Sequence, residues 1–245
     1  MPRPPRGFTV RPVTPADEPQ VQRIWTAGFL DLVADCTATL APVITGGPGS
    51  PSYSAPRPLL AALCAAGCAR AAAALVRREP RAALARALAA AAVGAAGLAL
   101  IHLVMWRAVA GFCAESCSGD GMMVDLSTAW LVPGKRTFVV AVERDGTVLG
   151  CCSARVGDVP DGDETPGVCS MWRVSTARAA RGRGVGRALV EEVERWAREE
   201  ANATKMRLVT GAVAAKRFYA HCGYTMWMGS LRGASLSYWE KQLVA

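Results

Sequence analysis

A loop rich in glycine and arginine carries the residue types that bind phosphate groups in proteins. Its glycines allow the main chain to approach an anion closely, and its arginines supply positive charge. Residues 170–176 before it predict a short strand, and the apolar spacing over 187–197 predicts a helix after it. The first turn of a helix offers N–H groups without internal partners and a partial positive charge. We therefore expect the ligand of this loop to carry phosphate. The residues concerned are Arg181, Gly182, Arg183, Gly184, Val185, Gly186 and Arg187.

Two common phosphate-binding motifs do not match this loop. A Walker A loop requires Lys and then Ser or Thr after its last glycine, where this chain has Arg187 and Ala188. A dinucleotide fingerprint requires the spacing Gly-x-Gly-x-x-Gly and an acidic ribose partner after a second strand. The glycines at 182, 184 and 186 have a different spacing, and the sequence shows no repeated unit of that kind. The alternatives are another phosphate motif, or a strand-to-helix turn that binds no ligand.

The spacing Arg-x-x-Gly-x-Gly over residues 181–186 resembles the acetyl-CoA signature of the GNAT superfamily of N-acetyltransferases. In that family the main-chain amides of this loop bind the CoA pyrophosphate. The resemblance implies an α/β fold with a mixed, mostly antiparallel sheet flanked by helices. It also implies acetyl-CoA as co-substrate and no metal. Main-chain groups around Val174 and Thr176, on the preceding strand, would orient the pantetheine and polarise the acetyl carbonyl.

A second stretch, residues 216–224, resembles the GNAT pattern of an aromatic pair followed by three residues and Gly-aromatic. It follows a strand predicted over 206–210, which is the order of the family. The tyrosine at the position of Tyr219 lies near the CoA sulfur in relatives and can protonate the leaving thiolate. A phenol titrates near ~10, so it can donate a proton and be regenerated at neutral pH. The alternative is that Tyr219 is a packed aromatic, and we expect His221 to face solvent.

The chain departs from the family pattern at three places. Many members have an asparagine seven residues before the tyrosine, where this chain has Ala212. The segment from Thr210 to Tyr219 is about two residues shorter than in the nearest relatives. Arg178 stands where many members carry a proline. The first two departures affect side-chain contacts to CoA and the placement of Tyr219, and they leave the pyrophosphate loop intact.

The amine acceptor must lose a proton, and the sequence does not single out a base. Glu143, Glu164 and Glu240 are candidates, and a chain of water molecules is another route. Glu143 ends a strand predicted over 137–143, which a tight turn at 144–146 joins to a strand over 147–156. Glu164 belongs to an acidic loop over 157–167, which is either a solvated connection or a rim that attracts a cationic amine.

Composition excludes several other classes of protein. The chain has 245 residues and a net charge of +8, but its arginines are dispersed and lack interleaved aromatics. Nucleic-acid binding is therefore not expected. Nine cysteines form no paired framework, and two histidines without a CxxC motif do not favour a zinc site. Reduced thiols are typical of a cytosol-facing domain.

An apolar insertion separates the first strand and helix from the rest of the chain. Residues 87–106 form a twenty-residue apolar stretch in which His102 is the only ionisable group. As a helix this stretch would be ~30 Å long, which matches a bilayer core. A weaker apolar segment covers 59–76, and Pro80 breaks the helix in the basic tip between them. The alternative to a membrane hairpin is a buried helical hairpin.

These signals divide the chain into four parts. They are a first strand and helix (1–34), a Pro/Gly-rich linker (35–58), the hydrophobic insertion (59–112) and the remainder of the GNAT domain (113–245). Because the first and last parts share one sheet in GNAT proteins, they must lie on one side of any membrane. The insertion then crosses an even number of times or lies in the interface.

This layout is similar to that of the camello-type, membrane-associated GNAT subgroup, and residues 120–126 resemble a stretch of that subgroup. The resemblance implies a membrane protein of the endoplasmic reticulum or another internal membrane. Basic residues at the hairpin tip would place that tip in the cytosol by the positive-inside rule. The thiols favour a cytosolic domain instead, and a hairpin that enters one leaflet reconciles the two signals.

Two functions are compatible with the sequence. The first is transfer of an acetyl group from acetyl-CoA to a primary amine, which could belong to an amino acid, a cysteine conjugate, a protein lysine or an N-terminus. The second is a catalytically silent, membrane-tethered module that binds CoA or acts as a scaffold. Ala212 and the shortened segment before Tyr219 are the features that favour the second.

Overall fold

A computed structural model describes residues 7–44, 80–157, 165–228 and 237–243. The predicted segment 59–76, the hairpin tip before Pro80 and Glu164 lie outside the described residues. Seven strands and five α-helices are described. The strands are β1 (Phe8–Pro12), β2 (Arg136–Glu143), β3 (Val148–Val156), β4 (Val168–Thr176), β5 (Lys205–Thr210), β6 (Thr225–Met228) and β7 (Ser237–Gln242). The helices are α1 (Glu18–Ile44), α2 (Pro80–Ser116), α3 (Leu126–Trp130), α4 (Val185–Glu199) and α5 (Val213–His221).

The strands form one sheet in the order β1-β2-β3-β4-β5-β7-β6. Every neighbouring pair is antiparallel except β4 and β5, which are parallel. The connection between those two parallel strands contains α4, because parallel neighbours need a long crossover. The predicted mixed, mostly antiparallel sheet flanked by helices is confirmed.

One face of the sheet packs against α4, whose apolar residues recur at helical spacing. Leu189, Val190 and Val193 of this helix are fully buried in a core that also contains Cys152 and Met171. Tyr219 of α5 belongs to the same core. The face that carries the glycine-rich loop is therefore a continuous apolar layer, and burial of this surface is the main force that positions the loop.

The other face of the sheet packs against α1. Trp25 of α1 is buried, and its ring contacts Phe29 at 4.5 Å and Phe112 at 6.0 Å between ring centroids. A Cβ atom on Gly28 would lie 2.8 Å from the Ser175 hydroxyl oxygen, which is too close. Glycine at position 28 therefore allows α1 to approach β4 directly beside the end of that strand.

A polar cluster fixes the start of α1. Thr14 precedes a single 3-10 turn, Pro15–Asp17. The buried Asp17 carboxylate accepts hydrogen bonds from the Thr14 amide at 2.8 Å and from Arg11 Nη1 at 2.6 Å. Burial raises the pKa of Asp17, but the bonds from Arg11 and Thr14 outweigh it and hold the pKa below its ordinary value.

We expect Asp17→Asn to lower the free energy of unfolding by about 1–3 kcal/mol at pH 7, because it removes charge-assisted hydrogen bonds. A carboxyl whose pKa is lowered on folding contributes stability above its ordinary pKa and loses it as pH falls. The difference from wild type should therefore shrink below about pH 4. Urea unfolding at pH 7 and pH 3 measures it, with the exposed Asp120→Asn as control. An equal difference at both pH values would contradict this role of Asp17.

The described chain divides into two compact units. The first holds the sheet and the helices packed on it, within 1–31, 110–230 and 235–245. The second holds the distal part of α1 and most of α2, within 32–109 and 231–234. The helix predicted over 87–106 is longer in the structure, since α2 begins at Pro80 and ends at Ser116. Its 30 residues Ala87–Ser116 are long and apolar enough to cross a membrane.

Candidate functional site

The glycine-rich loop connects a short turn after β4 to the first residue of α4. Gly182 and Gly184 have φ angles of 77° and 80°, in the left-handed region that favours glycine. A Cβ atom on either would meet nothing within 4 Å, so both main-chain segments are open to a ligand. Gly184 caps α4, which begins at Val185. The predicted strand, loop and helix are present in that order.

Most main-chain amides of the loop are not used by the protein. The Arg181 amide donates to the Arg178 carbonyl at 3.3 Å, and the Arg183 amide donates to the Ala180 carbonyl at 3.4 Å. The first amide of α4 with a helical partner is that of Ala188, which bonds to the Gly184 carbonyl. Within the described residues, the amides of Gly182 and of residues 184–187 have no hydrogen-bond acceptor. Unpaired amides at a helix N-terminus are the donors that an anion site requires, and the anion site itself stays a prediction.

The arginines of the loop are less available than the sequence suggests, because each has a carboxylate partner. Arg181 pairs with Asp31 of α1 at 2.6 Å, and Arg183 pairs with Glu143 at the end of β2 at 2.5 Å. Arg187 pairs with a glutamate one turn later in α4. These three side chains are about half exposed, so the pairs can rearrange around a phosphate. The unpaired amides are therefore the fixed part of the site.

Asp31 is a residue that the sequence analysis did not identify. Its carboxylate also binds Arg178, the residue that replaces the proline of many relatives. Hydrogen bonds from Arg178 and then from Arg181 hold the pKa of Asp31 below its ordinary value. Asp31 therefore connects α1 to both ends of the turn before the loop. No local sequence pattern could have predicted this contact, because 150 residues separate Asp31 from Arg181.

Strands β4 and β5 diverge beside the loop. Their parallel register covers only Val168 to Ser170 of β4, whereas β5 continues to pair with β7 as far as Thr210. The Ala177 amide donates to the Leu149 carbonyl of β3. Because main-chain groups alternate along a strand, the amides of Val174 and Thr176 point away from β3, towards the opening. This agrees with the positions that the resemblance assigns to these two residues.

A bulge interrupts the pairing of β3 with β4 just before these residues. Cys151 pairs with Ser175 and Ser153 pairs with Trp172, so two residues of β4 lie opposite Cys152. One of the two, Arg173, has a φ of 54°, which is unusual for a residue with a side chain. The bulge adds one residue to β4 immediately before the stretch whose amides face the opening.

Of the two adjacent aromatic residues in α5, Phe218 lies against the glycine-rich loop and Tyr219 lies in the core. A Cβ atom on Gly186 would lie 3.3 Å from the ring of Phe218 and 3.5 Å from the Thr176 hydroxyl oxygen. The absence of a side chain at Gly186 therefore brings α4, α5 and the end of β4 together. The sequence analysis did not assign a role to Phe218, although the aromatic pair contains it.

Tyr219 is 6% exposed and lies in the core on the α4 side of the sheet. Its ring contacts Phe218 at 5.2 Å and Tyr224 at 5.7 Å between centroids. Burial, and then the nearby thiols of Cys152 and Cys222, raise the pKa of the phenol far above its ordinary value. The phenol is therefore protonated at neutral pH and can act only as a proton donor. Its role in the chemistry stays a prediction.

Two of the three candidate bases are paired with cations. Glu143 accepts a hydrogen bond from Arg183, and Glu240 of β7 accepts one from Arg207 at 3.2 Å. Ala212, where many relatives have asparagine, precedes α5 in an extended conformation without a side-chain cap. The structure thus singles out neither described glutamate as the base.

A parallel strand pair that opens beside a helix N-terminus with unpaired amides is an arrangement suited to a phosphate-bearing thioester, the co-substrate of an acyltransferase. The model of the GNAT acetyltransferase family matches residues 103–224, about half of the chain, and the chain belongs to that family. It is an acyl-CoA-dependent N-acyltransferase by class, and acetyl-CoA is the co-substrate of the family. No curated protein is similar enough to this chain to count as a match.

Several solved structures are similar to this chain. A GCN5-related N-acetyltransferase from Kribbella flavida is 18% identical over 98% of this chain and 99% of its own, with a TM-score of 0.48. A putative acyl-CoA N-acyltransferase from Klebsiella pneumoniae is 23% identical over 50% of this chain and 81% of its own, with a TM-score of 0.40. A putative N-acetyltransferase from Lactobacillus plantarum is 28% identical over 44% of this chain and 70% of its own, with a TM-score of 0.36.

Proposed function

We propose that the protein transfers an acetyl group from acetyl-CoA directly to a primary amine at the opening between β4 and β5. The observation that carries this proposal is the set of unpaired amides at residues 184–187. These residues follow the end of β4, the strand that borders the opening. When bound, acetyl-CoA supplies an acetyl thioester. As the amine nitrogen bonds to the acetyl carbon and the C–S bond breaks, the amine loses one proton and the leaving thiolate takes up one to become a thiol. Residues of the chain bind acetyl-CoA, orient its thioester and supply a proton to the leaving thiolate.

Binding and orientation are assigned to main-chain groups. The amides of Gly182 and of residues 184–187 hold the diphosphate, with the dipole of α4 behind them. The amides of Val174 and Thr176 face the opening and hold the thioester arm in an extended conformation. Because these donors belong to a strand and a helix end, they are fixed before the substrate arrives, and little reorganisation is needed.

The proposal is tested by calorimetry with CoA and acetyl-CoA, followed by an acetyl-acceptor screen with amino acids, cysteine conjugates and peptides. We expect micromolar or tighter binding of CoA and release of free thiol that depends on the amine. Dephospho-CoA and pantetheine are matched ligands, since only the former retains the diphosphate. If pantetheine binds as tightly as CoA, the loop does not hold the diphosphate and the assignment of the site is wrong.

We expect Tyr219→Phe to lower kcat about 10²- to 10⁴-fold, the usual contribution of a positioned proton donor, while the Kd for CoA stays nearly unchanged. Steady-state release of free thiol and calorimetry measure the two quantities. Tyr224→Phe removes the hydroxyl of a neighbouring buried tyrosine and serves as the matched control. An unaltered kcat in Tyr219→Phe would remove the proton-donor role and leave Tyr219 as a packing residue.

We propose further that the insertion over 59–112 associates the protein with an internal membrane, such as the endoplasmic reticulum, as in the camello-type subgroup. The support is the exposed apolar surface of α2, which includes Leu100, Leu103 and Val104. Strand β1 and the strands after α2 share one sheet, so the insertion enters and leaves on the same side. Six cysteines of the sheet unit are free thiols, which favours a cytosolic face for the sheet; they are Cys113, Cys117, Cys151, Cys152, Cys169 and Cys222.

A further inference from the structure

Two arginine side chains on the α1 face of the sheet have no carboxylate partner among the described residues. They are Arg155 of β3 and Arg173 at the bulge of β4. The Nε atoms of both, and Nη1 of Arg173, are buried and have no hydrogen-bond partner. Burying a guanidinium without a counter-ion is unfavourable, and a fold that retains two such groups side by side needs a reason.

Aromatic rings hold both guanidinium groups in place. Cζ of Arg173 lies 4.0 Å from the ring centroid of Trp130 on α3, and Cζ of Arg155 lies 5.0 Å from that of Trp172. Contact with a ring face stabilises a cation without accepting a conventional hydrogen bond. The Nε–H groups of both arginines, and Nη1 of Arg173, are therefore held in place without a hydrogen-bond acceptor among the described residues.

Among the residues that the structure describes, no carboxylate pairs with Arg173. Burial, and also the nearby Arg155, lower the pKa of Arg173 to about 10, so it remains protonated at neutral pH. The Cys151 thiol also lies near Arg173, but burial raises its pKa to about 12. The thiol is therefore neutral under the same conditions. The pair of arginines thus forms a local excess of positive charge inside the protein.

This charge lies beside the proposed site of acetyl transfer. Arg173 directly precedes Val174, and Thr176 follows two residues later, on the part of β4 that has left β5. With ~3.3 Å per residue, the main chain of Arg173 lies within ~10 Å of both amides assigned to the thioester arm. Ser175, which lies between Val174 and Thr176, faces Gly28 of α1. It pairs with Cys151 of β3, and Arg155 lies on the same face of β3 as Cys151 because side chains alternate along a strand. The arginines and α1 are therefore on the same side of the sheet.

We propose that Arg155 and Arg173 bind a carboxylate of the acetyl acceptor, which is therefore an amine that also carries a carboxylate, such as a free amino acid or an amino-acid conjugate. This inference rests on the proposed acetyl transfer. Planar guanidinium groups bind carboxylates with paired hydrogen bonds, and those bonds are strong in a site shielded from water. The bound carboxylate supplies a counter-ion that none of the described residues provides, and it fixes the amine relative to the thioester.

The first experiment compares acids with their carboxamides, pair by pair, as acceptors for the full-length chain in detergent. We expect kcat/KM for the acid of the preferred pair to exceed that for its amide about 10- to 100-fold, the effect of hydrogen bonds to a charged group. A panel in which no acid is preferred to its amide overturns the inference, although it leaves acetyl transfer established.

The second experiment uses variants of the two arginines. Arg173→Gln and Arg155→Gln should each lower kcat/KM for the acid more than kcat/KM for the amide, so that most of the preference for the acid is lost. Arg173→Lys, which retains the charge, should restore part of the preference. Glutamine at position 173 meets the same backbone strain as arginine, and the exposed Arg144→Gln is the matched control. Retention of the full preference in both glutamine variants would contradict the proposal.

A third measurement does not depend on turnover. Calorimetry with the N-acetylated acid and the N-acetylated amide, with and without CoA, reports binding at the arginines directly. We expect the acid to bind at least about tenfold more tightly, and Arg173→Gln to abolish that difference. If CoA fails to bind, acetyl transfer is refuted while this comparison still decides the arginine site. Equal binding of acid and amide, or binding of neither, overturns it.

Discussion

Replacing Gly184 by aspartate is expected to abolish CoA binding, with a loss of affinity of about a hundredfold or more. The new side chain would lie in the open space over the loop, where the diphosphate is proposed to bind. A carboxylate there repels the diphosphate and competes for the amides of the following residues, so at least one charge-assisted hydrogen bond of about 1.5–3 kcal/mol is lost. Calorimetric titration with CoA measures the effect.

A matched control separates this effect from backbone strain. Gly184 and Gly119 both have positive φ angles, 80° and 55°, and a Cβ atom on either meets nothing within 4 Å. Gly119→Asp thus adds the same side chain in a similar conformation, but in the turn after α2. We expect it to bind CoA as wild type does. Normal CoA binding by Gly184→Asp would mean that the loop does not hold the diphosphate.

Replacing Leu100, Leu103 and Val104, on the exposed side of α2, by lysine is expected to release the protein from membranes. Leu100, Leu103 and Val104 are 62%, 51% and 58% exposed in the structure, so their replacement removes few internal contacts. A lysine at the centre of a membrane helix costs about 2.5–3.5 kcal/mol for insertion, and three lysines together outweigh the weak contribution of alanines. The fraction of protein that remains in membranes after alkaline carbonate extraction measures the change.

The control for this variant uses exposed apolar residues of the sheet unit. Met122 and Met226 are 46% and 58% exposed, and lysine at both positions adds charge without affecting α2. This double variant should remain in the membrane fraction. If wild-type protein is extracted by carbonate as readily as the triple-lysine variant, the insertion is not embedded in the bilayer. An exposed helix that packs against a partner protein would then be the better explanation.

The loop and its flanking elements could be predicted from the sequence because their signals are local. Local residue patterns predicted the strands and α4, and the glycines marked a loop in which the main chain turns with positive φ. The bounds of the strands differ from the predicted ones by one or two residues. Helix α2 differs more, because residues 107–116 continue the helix beyond the apolar stretch, with Phe112 packed against α1.

The electrostatic environment of the loop could not be predicted in the same way. The arginines appeared as free charges in the sequence, whereas Asp31 and Glu143 reach them from α1 and β2. These partners are 150 and 40 residues away along the chain, and only the folded sheet brings them together. The pairing of Arg181 lowers the charge available before a ligand arrives, so we assign the fixed part of the anion site to main-chain amides.

The arginines proposed to bind the acceptor could not be predicted from the sequence either. Arg155 and Arg173 appear there as charged residues within strands, a position usually explained by an exposed sheet face. Their burial depends on Trp130, which α3 places over the same face, and on the bulge that turns Arg173 towards it. The family resemblance led us to Tyr219, but it did not show that the phenol lies within an apolar core, which depends on how α5 packs against α4.

The bulge at Arg173 adds a side chain to the sheet without changing the orientation of its neighbours. Met171 and Val174 both face the α4 core, although they are an odd number of positions apart, because one extra residue lies between them. Excising residue 173 would leave Cys152 opposite Val174 and keep every other pair in register. Arg173 is therefore not needed for the pairing of the strands. In the proposed site, a change at this position can alter specificity for the acceptor while the hydrogen bonds between β3 and β4 stay intact.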